Sequence, residues 1–234
     1  MTNAESDFYI NHYGGLLPLG ATSLEIFDRE MLQAGKRYSL VLDDFKSDFT
    51  GTNIVELGCG GAEALLILSQ RFPNRDWTGY DLSVAPSSRG PVEVMQANLN
   101  QTWPLKDKSV DGLIAMMVIE HLFDPYFSFA EVKRVLSAEG RAWINLPLVT
   151  SIQNRARLLL GRLPETSVPY QEWGKSKSWD GMHLHYFSVG SIKDLASQAG
   201  LKILEIRAVG NHHKIKSRFP SILASEITFS LVHI

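Results

Sequence analysis

A glycine-rich turn between a short apolar segment and a helix-like segment constrains the fold of this chain more than any other feature. Asn53 to Leu57 has the composition of a short buried strand, and Gly58-Cys59-Gly60-Gly61 follows it directly. Residues 62–71 then have the composition of a helix that Pro73 ends. Glycine permits a tight turn and close backbone approach to a ligand, and a helix start offers unpaired N–H groups. The pattern therefore predicts a strand–turn–helix unit with a ligand site at the turn.

Strand-like and helix-like segments alternate after this turn, which is typical of a parallel sheet with right-handed crossovers. The sequence predicts further strands at residues 76–80, 92–96, 110–116, 141–146, 201–209 and 226–234, and helices at 125–136 and 188–199. Residues 83–91 contain two prolines, a glycine and three serines. We therefore expect the crossover helix in that connection to be short or absent.

The chain of 234 residues has the length of one domain with an embellishment. We expect an N-terminal arm and helices over residues 1–49, and one domain over residues 50–234. Residues 147–187 interrupt the alternation with a basic, helix-like stretch at 154–163 and a loop rich in Pro, Trp and Tyr. Because so long a connection usually carries function, we interpret 147–187 as an inserted lid or substrate-side segment.

The amino-acid composition limits which classes of molecule we expect the protein to bind. A net charge of −2 gives no signal for nucleic-acid binding, and the longest apolar runs, such as residues 112–119, are far shorter than a membrane span. Cys59 is the single cysteine, so no intrachain disulfide forms, and the N-terminus lacks the pattern of a secretory signal. We therefore expect a cytoplasmic protein without a nucleic-acid or membrane partner.

The residues around the turn favour S-adenosylmethionine (SAM) over a dinucleotide. Asp81 follows the next strand about 20 residues after the turn, where an acidic side chain can accept both ribose hydroxyls. A dinucleotide site requires a third glycine, but Ala62-Glu63-Ala64 stands there, and Glu63 at a helix start would repel a pyrophosphate. SAM carries no phosphate and has a cationic sulfonium and ammonium, so it tolerates Glu56 and Glu63.

A series of motifs in one order and spacing over residues 50–148 resembles the class I SAM-dependent methyltransferases, of the type 11 kind. The motifs are Val55-Glu56-Leu57-Gly58-Cys59-Gly60-Gly61, Gly79-Tyr80-Asp81-Leu82-Ser83, Gln96-Ala97-Asn98-Leu99, Ser109-Val110-Asp111-Gly112, Ile119-Glu120-His121-Leu122-Phe123-Asp124-Pro125 and Glu131-Val132-Lys133-Arg134. The resemblance implies an α/β fold. It is a Rossmann-like three-layer sandwich whose mostly parallel, seven-stranded sheet has an antiparallel C-terminal strand.

The resemblance also implies which residues bind SAM, with S-adenosylhomocysteine as the product. Those at the turn, where the amino-acid end of SAM is held, are Glu56, Gly58, Cys59 and Gly60. Those after the later strands are Asp81 for the ribose, Leu82, Asn98 and Leu99 for the adenine, and Met116 and Met117 beside the sulfonium. Many relatives have Asp where this chain has Asn98, whose carbonyl can still accept from the adenine amino group.

Glu120 and His121 follow the fourth predicted strand and are the candidate catalytic residues. His121 is able to accept a proton from a methyl acceptor, or it is a packing residue at the floor of the pocket. Some relatives bind a divalent metal through Glu-x-x-Glu-His and a later histidine. In this chain Met117 replaces the first Glu of that motif. Glu120, His121 and His185 then supply only a few possible ligands, so we expect no bound metal.

The loop before the last predicted helix supplies the candidate substrate residues, which are Trp179, His183, His185 and Tyr186. Aromatic side chains supply large contact area with polar tips, although the loop is equally interpretable as a structural link. Arg155, Arg157 and Arg162 could bind an acidic substrate or partner, or they form a solvated helix face.

The region after the fifth strand resembles a narrower group, the MetW-type proteins tied to methionine biosynthesis. Asn154-Arg155-Ala156-Arg157 and His183-Leu184-His185-Tyr186-Phe187 are among the motifs that carry this likeness. It implies a protein partner in homoserine acylation. The sequence thus predicts a SAM-dependent methyltransferase with a small-molecule acceptor, or alternatively a non-catalytic SAM-binding scaffold of a biosynthetic enzyme. It leaves the acceptor and the oligomeric state open.

Overall fold

A computed structural model describes residues 32–83, 86–167 and 183–234 of the chain. Its strands are β1 (Asn53–Leu57), β2 (Asp76–Asp81), β3 (Ser87–Arg89), β4 (Val92–Gln96), β5 (Val110–Met116), β6 (Leu136–Pro147), β7 (Leu201–Ala208) and β8 (Glu226–His233). Its helices are α1 (Ser39–Ser47), α2 (Glu63–Arg71), α3 (Pro125–Val135), α4 (Ile152–Leu159), α5 (Val189–Gln198), α6 (His213–Lys216) and α7 (Pro220–Leu223), with a 3-10 turn at Ile119–His121.

One sheet contains all eight strands, in the order β3-β4-β2-β1-β5-β6-β8-β7. The strands from β4 to β6 pair in parallel, whereas β8 runs antiparallel to both β6 and β7. The predicted α/β class, the mostly parallel sheet and its antiparallel C-terminal strand are confirmed. The sheet has one strand more than predicted, because β3 pairs antiparallel with β4 where the second crossover helix is expected to be short or absent.

Helices cover both faces of the sheet, so the sheet is the middle of three layers. On one face, Phe45 of α1 packs against Trp77 and Trp143, with ring centroids 6.0 and 5.2 Å away. On the other face, Phe129 of α3 and Ile192 of α5 are fully buried in a second apolar cluster. Two buried layers hold the central strands rigidly, so the loops at their carboxyl ends are presented from a fixed frame.

Local sequence explains where the helices begin. Asp124 accepts the N–H groups of Tyr126 and Phe127 at the start of α3, and Pro125 occupies the first turn, where a missing N–H costs nothing. Ser151 accepts the Asn154 N–H at 3.4 Å and starts α4 two residues before the predicted position. These caps fix both helices directly after β5 and β6, beside the carboxyl edge of the sheet.

Several predictions about chain organisation fall outside the described residues. The N-terminal arm, the first of the expected N-terminal helices and Trp179 all lie in segments that are not described, and the domain division at residue 50 stays a prediction. None of the helices in the three described stretches is long and apolar enough to cross a membrane.

Candidate functional site

The glycine-rich turn follows β1 at the carboxyl edge of the sheet and is fastened to the end of β2. The N–H groups of Gly58 and Cys59 both donate to the Tyr80 carbonyl oxygen, at 2.7 and 3.2 Å. Gly58 has φ +65° and Gly60 has φ +52°, conformations that favour glycine. A Cβ at Gly58 would lie 2.4 Å from Val118 Cγ2. The turn therefore requires glycine both for its dihedral angles and for its contact with the segment after β5.

Asp81, the last residue of β2, closes the turn from the other side. Its Oδ2 accepts the Gly60 N–H at 2.9 Å, and its Oδ1 accepts the N–H and the hydroxyl of Ser83, each at 2.9 Å. A carboxylate offers about four lone-pair positions, so Oδ2 retains acceptor capacity for a further donor. The carboxylate is half-buried and stands at the edge between β1 and β2.

Glu56 of β1 is buried, and its two carboxyl oxygens differ in their partners. The Tyr38 hydroxyl donates to Oε1, whereas Oε2 is buried without a hydrogen-bond partner in the described part of the chain. Burial raises the pKa of Glu56 to about 8, opposed by the Tyr38 hydrogen bond and reinforced by the charges of Glu63 and Asp81. An unpartnered buried oxygen is costly, so this position suits a ligand that supplies a hydrogen-bond partner.

Cys59 lies inside the turn as a small packing residue. It is buried, and burial together with the charges of Glu56 and Asp81 raises the pKa of its thiol. A Cβ at Gly79 of β2 would lie 2.5 Å from Cys59 Sγ, so the sulfur fills the space beside that glycine. A neutral, buried thiol is a poor nucleophile, and the geometry supports a structural part for Cys59.

The residues expected to face the adenine lie in the connections after β2 and β4. Gln96 Nε2 donates to the Leu82 carbonyl oxygen at 2.9 Å and joins the two connections. Asn98 Oδ1 accepts the Asn100 N–H at 3.0 Å, which closes a short side-chain turn. Leu99 is buried, and its carbonyl accepts from Trp103 Nε1 at 3.1 Å. Local hydrogen bonds thus hold these connections at the edge next to Asp81.

Met116 ends β5, and Met117 leaves it in an unusual backbone conformation. Met117 has φ +58°, which costs a residue with a side chain about 1 kcal/mol. Its N–H donates to the Asn145 carbonyl oxygen at 3.3 Å. The bend redirects the chain at the end of the strand, so Val118 meets the glycine turn and the 3-10 turn begins at Ile119.

That 3-10 turn brings Glu120 and His121 beside His183, which comes from the distant loop. Glu120 Oε1 lies 4.0 Å from His183 Nε2, and the rings of His121 and His183 meet edge to face with centroids 4.9 Å apart. His183 Nδ1 is 2.8 Å from the Thr166 hydroxyl, which fixes the ring. Glu120 is fully buried, and neither carboxyl oxygen has a hydrogen-bond partner within the described stretches. Burial raises the pKa of Glu120 to about 8.

The two loop histidines take different positions. His183 is buried against Glu120, while His185 Nε2 lies 2.9 Å from the Leu122 carbonyl oxygen and 3.2 Å from that of Phe123. Since carbonyl oxygens only accept, His185 Nε2 carries a hydrogen and donates. Tyr186 is 47% exposed and lines a surface cavity of about 250 Å³ together with His185 and residues of α5. His183 is therefore the substrate-side candidate that contacts the candidate catalytic pair.

Glu120, His121 and His183 also have the ligand types of a cation site. One ligand atom from each lies within 4.8 Å of the others. A carboxylate with two imidazoles suits several divalent metals, and the Thr166 contact to His183 resembles the support that metal-binding histidines receive. The histidine in this group is His183, not the His185 that the sequence suggests. The expectation that the protein binds no metal stays a prediction.

Two contacts of the site have no clear signal in the sequence. Tyr38 precedes α1 and donates to Glu56, and Thr166 precedes the undescribed part of the loop and contacts His183. Neither residue belongs to a motif or shares a periodic pattern with its partner. Both contacts depend on how separate segments pack at the carboxyl edge of the sheet.

The methyltransferase domain family matches residues 55–144 of the chain. A probable SAM-dependent methyltransferase of Mycobacterium tuberculosis (strain CDC 1551 / Oshkosh) is 32% identical over 115 residues, which cover 48% of this chain and 42% of that protein. A probable SAM-dependent methyltransferase of Mycolicibacterium smegmatis is 28% identical over 75% of this chain and 67% of that protein. The chain thus spans less than half the length of the first of these relatives.

A solved structure shares the fold over nearly the whole chain. A protein of Pyrococcus horikoshii OT3 superposes with a TM-score of 0.58 at 15% identity, covering 97% of this chain and 98% of that one. This superposition shows the fold alone. The sequence matches confirm the resemblance to SAM-dependent methyltransferases over residues 55–144. The narrower resemblance to MetW-type proteins stays a prediction.

Proposed function

We propose that this chain is a SAM-dependent methyltransferase that transfers a methyl group to a small-molecule acceptor. The observation that carries the proposal is the buried Oε2 of Glu56, which lacks a described hydrogen-bond partner beside a glycine turn that Asp81 closes. This arrangement suits a ligand with a cationic end and a pair of ribose hydroxyls. The named relatives support the same cofactor, since both are described as probable SAM-dependent methyltransferases.

The residues at the carboxyl ends of β1 and β2 fit the two polar ends of SAM. Glu56 would accept from the ammonium, while Gly58 and Gly60 leave room for the amino-acid end. Asp81 would accept from the ribose hydroxyls with the acceptor capacity that Gly60 and Ser83 leave. Two carboxyl groups in the same edge of the sheet favour a cation and disfavour a pyrophosphate.

Further along the edge, residues of the next two connections would bind the base and the sulfonium. Leu82 and the Leu99 backbone N–H would contact the adenine. Asn98, whose Oδ1 accepts the Asn100 N–H, would contact the adenine amino group through its side-chain amide. Met116 and Met117 would lie beside the sulfonium, where the bend after β5 brings the chain across the turn.

The chain's own residues would position the acceptor and manage its proton. Bound SAM supplies an electrophilic methyl group for in-line displacement, so holding the nucleophile at the correct distance and angle contributes much of the rate. His121 follows β5 at the edge of this pocket and would take the proton of a hydroxyl or ammonium acceptor. His183, Tyr186 and Trp179 would form the acceptor side, with Trp179 outside the described residues.

Glu120 would act on the histidines rather than on the acceptor. Glu120 is fully buried, so its carboxyl is not exposed to an incoming acceptor. Its position 4.0 Å from His183 suits a group that orients the imidazoles. We therefore assign Glu120 as a positioning residue and His121 as the base.

A non-catalytic SAM-binding scaffold of a biosynthetic enzyme is the second candidate. The observation in its favour is that Glu120, one of the two candidate catalytic residues, is fully buried, which leaves His121 as the candidate for proton transfer. A scaffold would bind SAM with the same residues and would not consume it.

Turnover of methyl-labelled SAM with small hydroxyl, amine and thiol acceptors separates the two candidates. We expect one acceptor class to yield labelled product and S-adenosylhomocysteine. His121→Ala should lower kcat about 100-fold and leave SAM affinity unchanged, because general bases contribute on that order. His212→Ala, in the loop before α6, is the matched control and should retain the wild-type kcat. SAM binding without turnover on every acceptor would favour the scaffold, and an unchanged kcat in His121→Ala would reject the assigned base.

A further inference from the structure

Helix α4 turns its apolar side chains toward solvent. Asn154 is the buried residue of this helix, whereas Ile152, Leu158 and Leu159 are 51%, 54% and 89% exposed. Leu160, directly after the helix, is 73% exposed. An amphipathic helix of a globular protein normally directs its apolar stripe to the core. Helix α4 does the reverse, so its leucines are exposed to solvent.

A second exposed apolar segment adjoins α4. Ile215 of α6, Phe219 just before α7, and Ile222 of α7 are 59%, 60% and 46% exposed. Arg155 Nη2 of α4 donates to the Ser221 carbonyl oxygen at 3.4 Å, which joins the two segments. We call residues 152–163 and 212–223 together the apolar–basic surface. An apolar patch shared by neighbouring segments marks an interaction site more strongly than scattered exposed residues do.

The charges of this surface are all of one sign, although the whole chain has a net charge of −2. Its two segments contain no Asp or Glu, and their basic residues are Arg155, Arg157, Arg162, Lys214, Lys216 and Arg218. Arg157 pairs with Glu165 outside the surface at 2.9 Å. Arg155 donates to the carbonyl oxygens of Thr150 and Ser221, which leave its charge uncompensated. The surface therefore combines large apolar side chains with excess positive charge.

We propose that the apolar–basic surface binds the face of a lipid bilayer that contains anionic lipids. Leu159, Leu160 and Phe219 would enter the boundary between head groups and acyl chains, and the arginines and lysines would meet lipid phosphates. Short amphipathic helices with basic residues and exposed Leu or Phe are typical of such interfacial contacts. A second copy fits poorly, because pairing two copies of this surface would oppose like charges.

This proposal departs from the expectation of no membrane partner, which rests on the shortness of the apolar runs in the sequence. The length of apolar runs limits helices that cross a bilayer, whereas a surface contact needs only exposed side chains on one face. Both segments follow carboxyl ends of strands, α4 after β6 and α6 after β7. The apolar–basic surface therefore lies on the same edge of the sheet as the proposed SAM site. Vesicle binding needs no SAM, so its failure is distinguishable from failure of the proposed function.

Co-sedimentation of the full chain with vesicles tests the proposal. We expect binding to phosphatidylcholine vesicles that contain about 30% phosphatidylglycerol, and loss of most binding as salt rises from about 0.1 M to about 0.5 M. Pure phosphatidylcholine vesicles should bind at least tenfold more weakly. Leu159→Glu should weaken binding about tenfold, because it removes an inserted side chain and adds repulsion. The double variant that carries Lys214→Glu and Arg218→Glu should also weaken vesicle binding about tenfold.

Two control variants place glutamate at exposed apolar and basic positions at the opposite edge of the sheet. Ile234 is 80% exposed after β8, and Lys202 is exposed at the start of β7. Ile234→Glu and Lys202→Glu should bind anionic vesicles like the wild type. The proposal is overturned if anionic vesicles do not bind the wild type, or if Leu159→Glu binds them as well as Ile234→Glu does. Analytical ultracentrifugation that finds a dimer separated by Leu159→Glu would overturn it in favour of a second copy.

Discussion

Glu56 and Glu120 are buried glutamates in the two halves of the candidate site, and they differ in what surrounds them. Each has a pKa of about 8, and desolvation is the largest cause for both. Glu56 receives the Tyr38 hydroxyl and lies in β1 just before a turn whose N–H groups are already fixed. The carboxyl group of Glu120 faces the imidazole of His183, and neither of its oxygens has a hydrogen-bond partner in the described part of the chain.

The difference separates the proposed SAM-binding half of the site, around Glu56, from its proposed reacting half, around Glu120. Around Glu56, neighbouring strands and short turns hold each polar group, so the geometry is ready for one kind of ligand. Around Glu120, a loop that follows the long connection supplies His183, so the geometry depends on how that connection packs. We therefore expect changes near Glu56 to alter SAM affinity and changes near Glu120 to spare it.

Removal of Asp81 should have the largest effect on affinity. Asp81→Ala deletes the acceptor proposed for both ribose hydroxyls and releases the Gly60 N–H. Loss of two charge-assisted hydrogen bonds should weaken SAM binding about 100-fold, measured by calorimetric titration.

Asp76→Ala is the matched control for this change. Asp76 is exposed and begins the same strand that Asp81 ends, at the opposite edge of the sheet. We expect the affinity of this variant to equal that of the wild type. Equal losses in both variants would show that β2 is merely disturbed, and unchanged affinity in Asp81→Ala would remove Asp81 from the site.

The pH dependence of SAM affinity should distinguish the two glutamates, with a smaller effect. The pKa of Glu56 is about 8 in the protein without ligand, so its carboxyl carries a proton at pH 6. Binding of the ammonium favours the carboxylate and expels that proton, so affinity should rise with pH. We expect the dissociation constant to fall by up to about tenfold between pH 6 and pH 7, measured by titration in several buffers.

Substitution of each glutamate in turn tests which one causes the pH dependence of SAM affinity. Glu56→Gln should remove most of this pH dependence, whereas Glu120→Gln should retain it, although the pKa of Glu120 is raised to the same value. A retained pH dependence in Glu56→Gln would separate Glu56 from the ammonium. Its loss in Glu120→Gln would mean that the two halves do not act separately.

The binding half could be predicted closely from the sequence because its residues are near each other along short strands. The predicted strands at 53–57, 92–96 and 110–116 agree with β1, β4 and β5. The glycine turn and Asp81 follow strands whose pairing is adjacent and parallel, so their meeting is a consequence of topology. The local sequence pattern and the fold class are together sufficient to predict that the glycine turn and Asp81 lie side by side.

The reacting half could not be predicted to the same depth because its contacts join distant segments. The sequence offers His183 and His185 with equal chemistry, and only the packing of the loop directs His183 to Glu120 and His185 to backbone carbonyls. The sequence also could not show that the leucines of α4 face solvent. A periodic apolar stripe normally indicates a buried face, and these leucines are exposed. Ser151, which caps α4, fixes its start but not the side that it turns to solvent.

The edge of the sheet around Glu56 and Asp81 is proposed to bind SAM rather than a phosphate-bearing dinucleotide. Unfolding of the wild type with and without ligand tests it most directly. S-adenosylhomocysteine at one hundred times its dissociation constant should raise the free energy of unfolding by about 2.7 kcal/mol, and NAD at the same concentration should leave it unchanged. A rise with NAD and none with S-adenosylhomocysteine or SAM would contradict the account.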